Sequence, residues 1–262
     1  MNIAAAAYKE HGVFEKLKQL AAFYENLSDS AFRFIASGTT TPFNLDTYVF
    51  TSISGTLESM HDILARGRIN DAFALLRKYY DSAIINTYCR LYLDDNCSLE
   101  NFIVAKIDNW LKGTEQLPEF RVMSNYIRSS GKLKIINDLL YQDDRYKKLR
   151  STCNDHTHYN FYHNVLYNDN KIHLPGRVKM LDIFALNVLD VFMLHFAYIF
   201  TLNDPYMSST DYVDALECDM QPEEDSQYWV ANYIQETFDK IIKPHRPDIA
   251  TEILAKTCMH LQ

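Results

Sequence analysis

The sequence predicts an all-α protein, a multi-helix antiparallel bundle of about eight to ten helices. Among its 262 residues are only seven glycines and seven prolines. Glycine provides the positive φ angles of tight turns and proline interrupts regular structure, so their scarcity indicates few turns and long elements. Apolar residues recur at helical spacing, and no alternating strand pattern of useful length occurs.

The predicted helices of the N-terminal half are separated by recognisable breakers. They cover about 13–37, 46–66, 69–93 and 98–112. The run GTTTP at 38–42 ends the first helix, Asn44 or Asp46 caps the second, and Ser98 caps the fourth. The third has nearly ideal 3.6-residue periodicity.

In the C-terminal half, Pro118 opens a helix, and Gly131 divides it from another that ends near Lys148. Residues 150–170 lose clean amphipathicity and are rich in asparagine. After the breaker at 175–176 comes an apolar helix to about 202 and a weaker segment to about 220. Pro222 and three acidic residues predict a helix start, and a short helix from Asp248 completes the chain.

We expect a single helical domain over 1–262, with a core at about 46–203 and a C-terminal helical extension at about 204–262. No internal repeat or low-complexity linker divides the chain. A softer boundary is expected between Pro205 and Pro222.

Charge and cysteine content exclude several classes of function. The net charge is −8, whereas broad, non-specific nucleic-acid binding requires many basic residues to displace counterions from phosphates. A local basic pocket remains compatible with this charge. The five scattered cysteines include no C-x-x-C pair, which argues against a disulfide framework or a zinc ribbon and favours reduced thiols.

The chain is expected to be cytoplasmic and without a membrane partner. Its N-terminus lacks the basic and apolar regions of a signal peptide. The most apolar stretch, 181–202, contains Asp182 and Asp190, and ionised carboxylates are costly in lipid. A core helix of the bundle is the better interpretation.

The chemically suggestive segment is 150–163, which reads RSTCNDHTHYNFYH. An arginine, five mostly polar residues and a histidine, here Arg150 and His156, resemble the R-x(4–6)-H signature of the HEPN superfamily. The segment 75–84, LLRKYYDSAI, is also similar to a helix of bacterial helical proteins of unassigned function. HEPN proteins are helical bundles and are often dimers, and some members lack nuclease activity.

This resemblance implies a metal-independent endoribonuclease of toxin or phage-defence type that acts as a homodimer on RNA. It needs no cofactor, and a regulatory protein such as an antitoxin would be a further partner. In such nucleases His156 would be the general acid or base, because imidazole titrates near neutral pH. Arg150 would neutralise the developing phosphorane and Asn154 would orient groups by hydrogen bonds. Additional candidates are Ser151, Asp155, His158, Arg77 and Asp81.

Helix geometry leaves the histidine open. Residues six apart lie about 120° apart around an unbroken helix, so Arg150 and His156 converge only if the helix breaks or a second protomer contributes. Arg150, Asn154 and His158 instead share one helical face. Arg150 also has a purely structural interpretation, in which it pairs with Asp143, Asp144 or Asp155 in a polar seam between helices.

The sequence allows further interpretations of its histidines and of a charged pair. A metal site built from His156, His158, His163 and Asp155 is less favoured, because His-x-His side chains diverge on a helix. Arg77 and Asp81, four residues apart, are expected to form a buried ion pair that fixes helix register, or to place Arg77 as an additional phosphate ligand. The rival function from another class is a non-catalytic helical module that binds a nucleotide or a protein, which the acidic pI favours.

Overall fold

The computed structural model describes residues 3–34 and 41–262, without the side chains of Arg33, Phe34 and Phe43. Within these residues the chain is α-helical and has no strand, only an isolated antiparallel bridge between Ser208 and Val230. The prediction of an all-α fold is therefore confirmed.

The α-helices are numbered in chain order. They are α1 (Ala6–Lys9), α2 (Val13–Phe34), α3 (Leu45–Ala65), α4 (Ile69–Asn96), α5 (Ala105–Leu111), α6 (Phe120–Ser129), α7 (Lys134–Leu140), α8 (Arg145–Thr157), α9 (Tyr162–Leu166), α10 (Arg177–Leu202), α11 (Asp211–Glu217), α12 (Asn232–Thr237), α13 (Lys243–His245) and α14 (Pro247–Lys256). Short 3-10 turns are Pro42–Asn44, Asp204–Met207 and Ser226–Tyr228, and Phe238–Ile242 forms a π turn.

Helices α3, α4 and α10 lie close to their predicted spans. The predicted end of the first helix at 37, and most of the GTTTP breaker, lie outside the described residues. The predicted cap at Ser98 is wrong, because α5 begins only at Ala105. Ser98 closes a local turn instead, in which its Oγ accepts a hydrogen bond from the Asn101 amide at 3.1 Å. Serine competes in this way with helix formation.

A second difference concerns the helix expected to end near Lys148. The chain forms α7, leaves helical structure near Tyr141, and starts again as α8 at Arg145. The Asp143 carboxylate accepts a hydrogen bond from the Arg145 amide at 2.9 Å. Acidic side chains at a helix start satisfy free amides and complement the helix dipole, which explains the restart here.

The helix expected at Pro222 begins ten residues later, at Asn232. Asp225 has a left-handed backbone, with φ of 61°, and a 3-10 turn follows it. A residue in this conformation cannot continue an α-helix, so the acidic run precedes a turn rather than a helix.

The chain forms two compact units. As far as these residues are described, the first comprises Met1–Glu25, Val49–Ile84 and Asp143–Phe192, and the second comprises Asn26–Tyr48, Ile85–Gln142 and Met193–Gln262. Aromatic side chains such as Tyr24 and Phe192 form much of the core of the first unit. The single domain with a C-terminal extension stays a prediction.

Helix α10 has the length and apolar composition of a membrane span, but 72% of its apolar window is buried within the protein. The core helix of a soluble protein has the same features, so they are weak support for a membrane segment. Asp182 is bonded to His11 at 3.1 Å, and Asp190 accepts a hydrogen bond from Arg145 at 3.3 Å.

Candidate functional site

Helix α8 in the first unit carries the segment that the sequence singled out. It runs unbroken from Arg145 to Thr157, so Arg150, Asn154 and His156 all lie on one continuous helix. No glycine or proline occurs between 132 and 174, and the acidic residues before Arg145 favour its start. The absence of a break removes one of the two ways in which Arg150 and His156 were expected to converge.

Arg150 belongs to a polar cluster that joins α8 to α4. Its Nη1 donates a hydrogen bond to Asp81 Oδ1 at 2.8 Å. Arg77 Nε donates to both oxygens of the same carboxylate, at 3.1 and 3.0 Å. Arg77 Nη1 also donates to Asn154 Oδ1. The two guanidinium groups thus flank one carboxylate, and we refer to Arg77, Asp81, Arg150 and Asn154 as the arginine cluster.

The arginine cluster is only partly shielded from solvent. The exposed fractions of the side chains are 22% for Arg77, 32% for Asp81 and 27% for Arg150. The expected ion pair between Arg77 and Asp81 is present, but it is half-buried rather than buried. Partial burial lowers the pKa of Arg150, the Asp81 carboxylate opposes this, and Arg77 adds to it. Arg150 stays protonated at neutral pH all the same, because a guanidinium group titrates far above it.

The pairing of Arg150 differs from the structural alternative drawn from the sequence. Asp143 does pair with an arginine, but with Arg145, at 2.8 Å. Asp155 instead accepts a hydrogen bond from Asn160, at 2.7 Å. The carboxylate that contacts Arg150 is Asp81, 69 positions away in the sequence. Helix packing, rather than closeness along the chain, decides this contact.

Helix α8 is a basic segment in an acidic chain. It contains four basic residues and one acidic residue, namely Arg145, Lys147, Lys148, Arg150 and Asp155. Lys147, Lys148 and Ser151 are exposed. Neither lysine was expected from the sequence to be a site residue. Lys147, three residues before Arg150, lies on the same helical face as Arg150. The helix therefore provides the local positive surface that the net charge of the chain does not.

His156 lies in a different environment from the arginine cluster. Its side chain is buried, with 3% exposure, and Nδ1 is 2.8 Å from Asn70 Oδ1. The imidazole stacks on the ring of Phe73, with centroids 4.1 Å apart and planes at 8°. Burial, followed by the neighbouring His163, lowers the pKa of His156 to about 4. Within the chain, Arg150 and His156 do not share a site.

The other predicted residues lie at or beyond the end of α8. His158 is the C-terminal cap of the helix and is exposed. Tyr159 follows with a left-handed φ of 50°. Asn164 Nδ2 donates to the Asp155 carbonyl at 2.9 Å, which holds the following turn against α8. Among the residues described, no group of three or more His, Cys, Asp or Glu side chains is placed to hold a metal ion.

The partners of His156 could not be predicted from the sequence. Phe73 was assigned to the apolar stripe of the third helix, and Asn70 carried no signal of its own. Only their position opposite α8 identifies them.

The chain matches no known protein-family model, and no curated protein or solved structure is significantly similar to it.

Proposed function

We propose that the chain is a non-catalytic helical module that binds a phosphate-bearing ligand, a nucleotide or RNA, at the arginine cluster. One observation carries this proposal: two partly exposed guanidinium groups, Arg77 and Arg150, flank a single carboxylate. Arginine presents a planar fork of donors that matches phosphate oxygens. A phosphate group would bind the guanidinium groups of Arg77 and Arg150 in place of the Asp81 carboxylate.

The surroundings of the cluster support an anionic ligand. Lys147 is exposed on the same helical face as Arg150 and adds a positive charge beside the cluster. Lys148 and Ser151 are exposed on other faces of the same helix. Lysines outside the contact would raise the association rate by attracting phosphate through solvent, an effect that weakens as salt is added. Because the whole chain is acidic, binding is expected to be confined to this surface.

The environment of His156 favours binding over catalysis. A general acid or base must reach the substrate and titrate near the working pH. His156 is buried on Phe73, bonded to Asn70, and has a pKa lowered to about 4. At neutral pH this imidazole is uncharged and inaccessible to an RNA backbone.

The second candidate function is the metal-independent endoribonuclease that the HEPN resemblance implies. The observation that favours it is the exposure of His158, which follows Arg150 and Asn154 at intervals of four residues. His158 would then replace His156 as the acid or base. The homodimer, the regulatory partner and the toxin or phage-defence setting stay predictions.

Binding is tested with a short fluorescein-labelled oligoribonucleotide, followed by fluorescence anisotropy at low and moderate salt. We expect Arg77→Ala and Arg150→Ala each to raise the dissociation constant about tenfold, since each removes a charged donor. Lys240→Ala is the matched control, because it removes one positive charge from a lysine outside the cluster. Equal affinities for all three variants and the wild type would overturn the proposal.

Catalysis is tested with bulk RNA and transfer RNA incubated with the wild type in EDTA, and by analysing the ends of any products for cyclic phosphate. His156→Ala and His158→Ala are compared with it. Intact RNA agrees with a binding module. Cleavage that disappears in either variant supports the endoribonuclease and identifies its histidine.

A further inference from the structure

The second unit contains a polar cavity of about 550 Å³, within the size range of small-molecule sites. Three parts of the unit line it: the α2 residues Asn26, Asp29 and Ser30, the loop that leads into α11, and the loop that leads into α12. The three α2 residues lie on one helical face, because they are three and four positions apart. No sequence motif drew attention to this region.

The walls of the cavity are held in place before any ligand arrives. The two loops pair through the bridge between Ser208 and Val230. The Ser209 amide donates a hydrogen bond to the Trp229 carbonyl at 2.7 Å, and the Ala231 amide donates to the Met207 carbonyl at 2.8 Å. Such preorganisation lowers the entropic cost of binding.

A side-chain hydrogen bond joins α12 to α2. The hydroxyl groups of Ser30 and Tyr233 lie 3.0 Å apart and are hydrogen-bonded. Helix α12, which follows the loop that contains Trp229, is therefore joined to the helix that provides Asp29. The polar groups of the two walls keep a defined spacing, which a site that recognises several hydroxyl groups requires.

The chemistry of the lining selects among ligands. Two acidic residues, Asp29 and Asp211, line the cavity together with Asn232 and Thr210. None of the described lining residues is basic, so an anionic ligand would be repelled. A purely apolar ligand would leave these polar groups without partners, which is also unfavourable.

We propose that this cavity binds a neutral polyhydroxylated ligand, a saccharide of one or two rings. Carboxylate and amide groups accept and donate hydrogen bonds to neighbouring hydroxyls, as Asp29, Asp211 and Asn232 would. The half-buried indole of Trp229 provides a flat apolar surface for the C–H face of a sugar ring. Ser209 Oγ, at the wall, is buried and has no hydrogen-bond partner among the described residues.

Tryptophan fluorescence provides a direct test. The chain has two tryptophans, Trp110 in α5 and Trp229 in the cavity, so Trp110→Phe makes the emission report on Trp229 alone. This variant of the full chain is titrated with glucose, galactose, maltose and, separately, choline, each to about 10 mM, well above a weak dissociation constant of roughly 1 mM. We expect saturable changes in emission with at least one saccharide.

Asp29→Asn and Asp211→Asn, made in the Trp110→Phe background, are expected to raise the dissociation constant for that saccharide about fivefold, since each weakens a hydrogen bond to it. Asp214→Asn is the matched control, because it changes a carboxylate of the same helix α11 that does not line the cavity. Far-ultraviolet circular dichroism confirms that each variant stays folded.

Three outcomes would overturn the proposal: no response to any saccharide, a response that Asp29→Asn and Asp211→Asn leave unchanged, or saturation by choline alone. The last would identify a cation site. The cavity is separate from the arginine cluster, so none of these outcomes affects the proposed binding of phosphate.

Discussion

The imidazole of His156 lies flat on the phenyl ring of Phe73, with ring centroids 4.1 Å apart and planes within 8° of each other. Asn70, one turn earlier on α4, is bonded to Nδ1 of the same imidazole at 2.8 Å. These contacts seal His156 between α8 and α4 in its neutral form. His156 therefore stabilises the packing of the helix that carries Arg150, and this role has measurable consequences.

The first prediction concerns pH. The pKa of His156 is lowered to about 4 in the folded chain from an ordinary value of 6.5. Between these values the unfolded chain binds a proton that folded His156 does not, so stability is complete above pH 6.5 and falls as the pH decreases. His156 is expected to lower the free energy of unfolding by about 2 kcal/mol between about pH 7 and pH 5.

Urea unfolding at both pH values measures this effect. His156→Phe does not titrate, so its free energy of unfolding should fall by about 2 kcal/mol less than that of the wild type over the same interval. His158→Phe changes an exposed histidine and serves as the control. Its free energy of unfolding is expected to depend on pH as that of the wild type does. Identical pH dependence for all three proteins would mean that His156 is not buried as a neutral side chain.

The second prediction separates a phosphate site from a structural clamp. Asp81→Asn removes the only carboxylate that contacts both Arg77 and Arg150 within the cluster. If the cluster binds phosphate, affinity for the oligoribonucleotide should increase several-fold, while stability falls by about 1 kcal/mol for the lost ion pairs. Anisotropy and urea unfolding measure the two quantities. Lower stability with unchanged or weaker RNA binding would leave the cluster only a role in helix packing.

The third prediction concerns a buried polar chain in the second unit. Asn86 donates to Asp46 at 2.7 Å and is bonded to His195 at 2.9 Å, and all three side chains are buried. Burial raises the pKa of Asp46. Asn86→Ala removes the amide that joins Asp46 to His195, so the free energy of unfolding should fall by about 3 kcal/mol.

The urea midpoint of Asn86→Ala reports this loss. Asn96→Ala provides the comparison, because Asn96 lies on the same helix but is exposed. If the two substitutions had equal effects on the midpoint, the buried chain would contribute nothing specific to stability.

The fourth prediction concerns Arg177, which is fully buried. Its guanidinium donates to the carbonyl of Gly67 at 3.4 Å, to that of Ile172 at 3.3 Å, and to that of Asp169. Lysine has the same charge but only one ammonium group, which cannot reach the carbonyl of Gly67 and those of Asp169 and Ile172 at the same time. Arg177→Lys is therefore expected to lower the free energy of unfolding by about 2–4 kcal/mol.

Thermal unfolding followed by circular dichroism measures the change. Arg68→Lys is the same exchange at an exposed position and should leave the melting temperature within a degree or two, about the scatter for surface substitutions. A wild-type melting temperature for Arg177→Lys would show that charge alone, rather than the fork of donors, matters at this position.

Much of the fold could be predicted because a helix is indicated by the spacing of apolar residues along a short stretch of sequence. The periodicity of 69–93 predicted α4, and the apolar run to 202 predicted α10, since neighbouring turns of a helix present the same face. The errors at Ser98 and Pro222 have one cause. Both residues also favour turns, and the choice between a turn and a helix cap depends on the surrounding packing.

At the candidate site, the Arg77–Asp81 pair and the row of Arg150, Asn154 and His158 could be predicted from the sequence, because residues four apart on a helix are neighbours wherever the helix packs. The contact of Asp81 with Arg150, and those of Phe73 and Asn70 with His156, became known from the packing of the helices. Those contacts join residues far apart in sequence, and they depend on which face of α8 packs against α4.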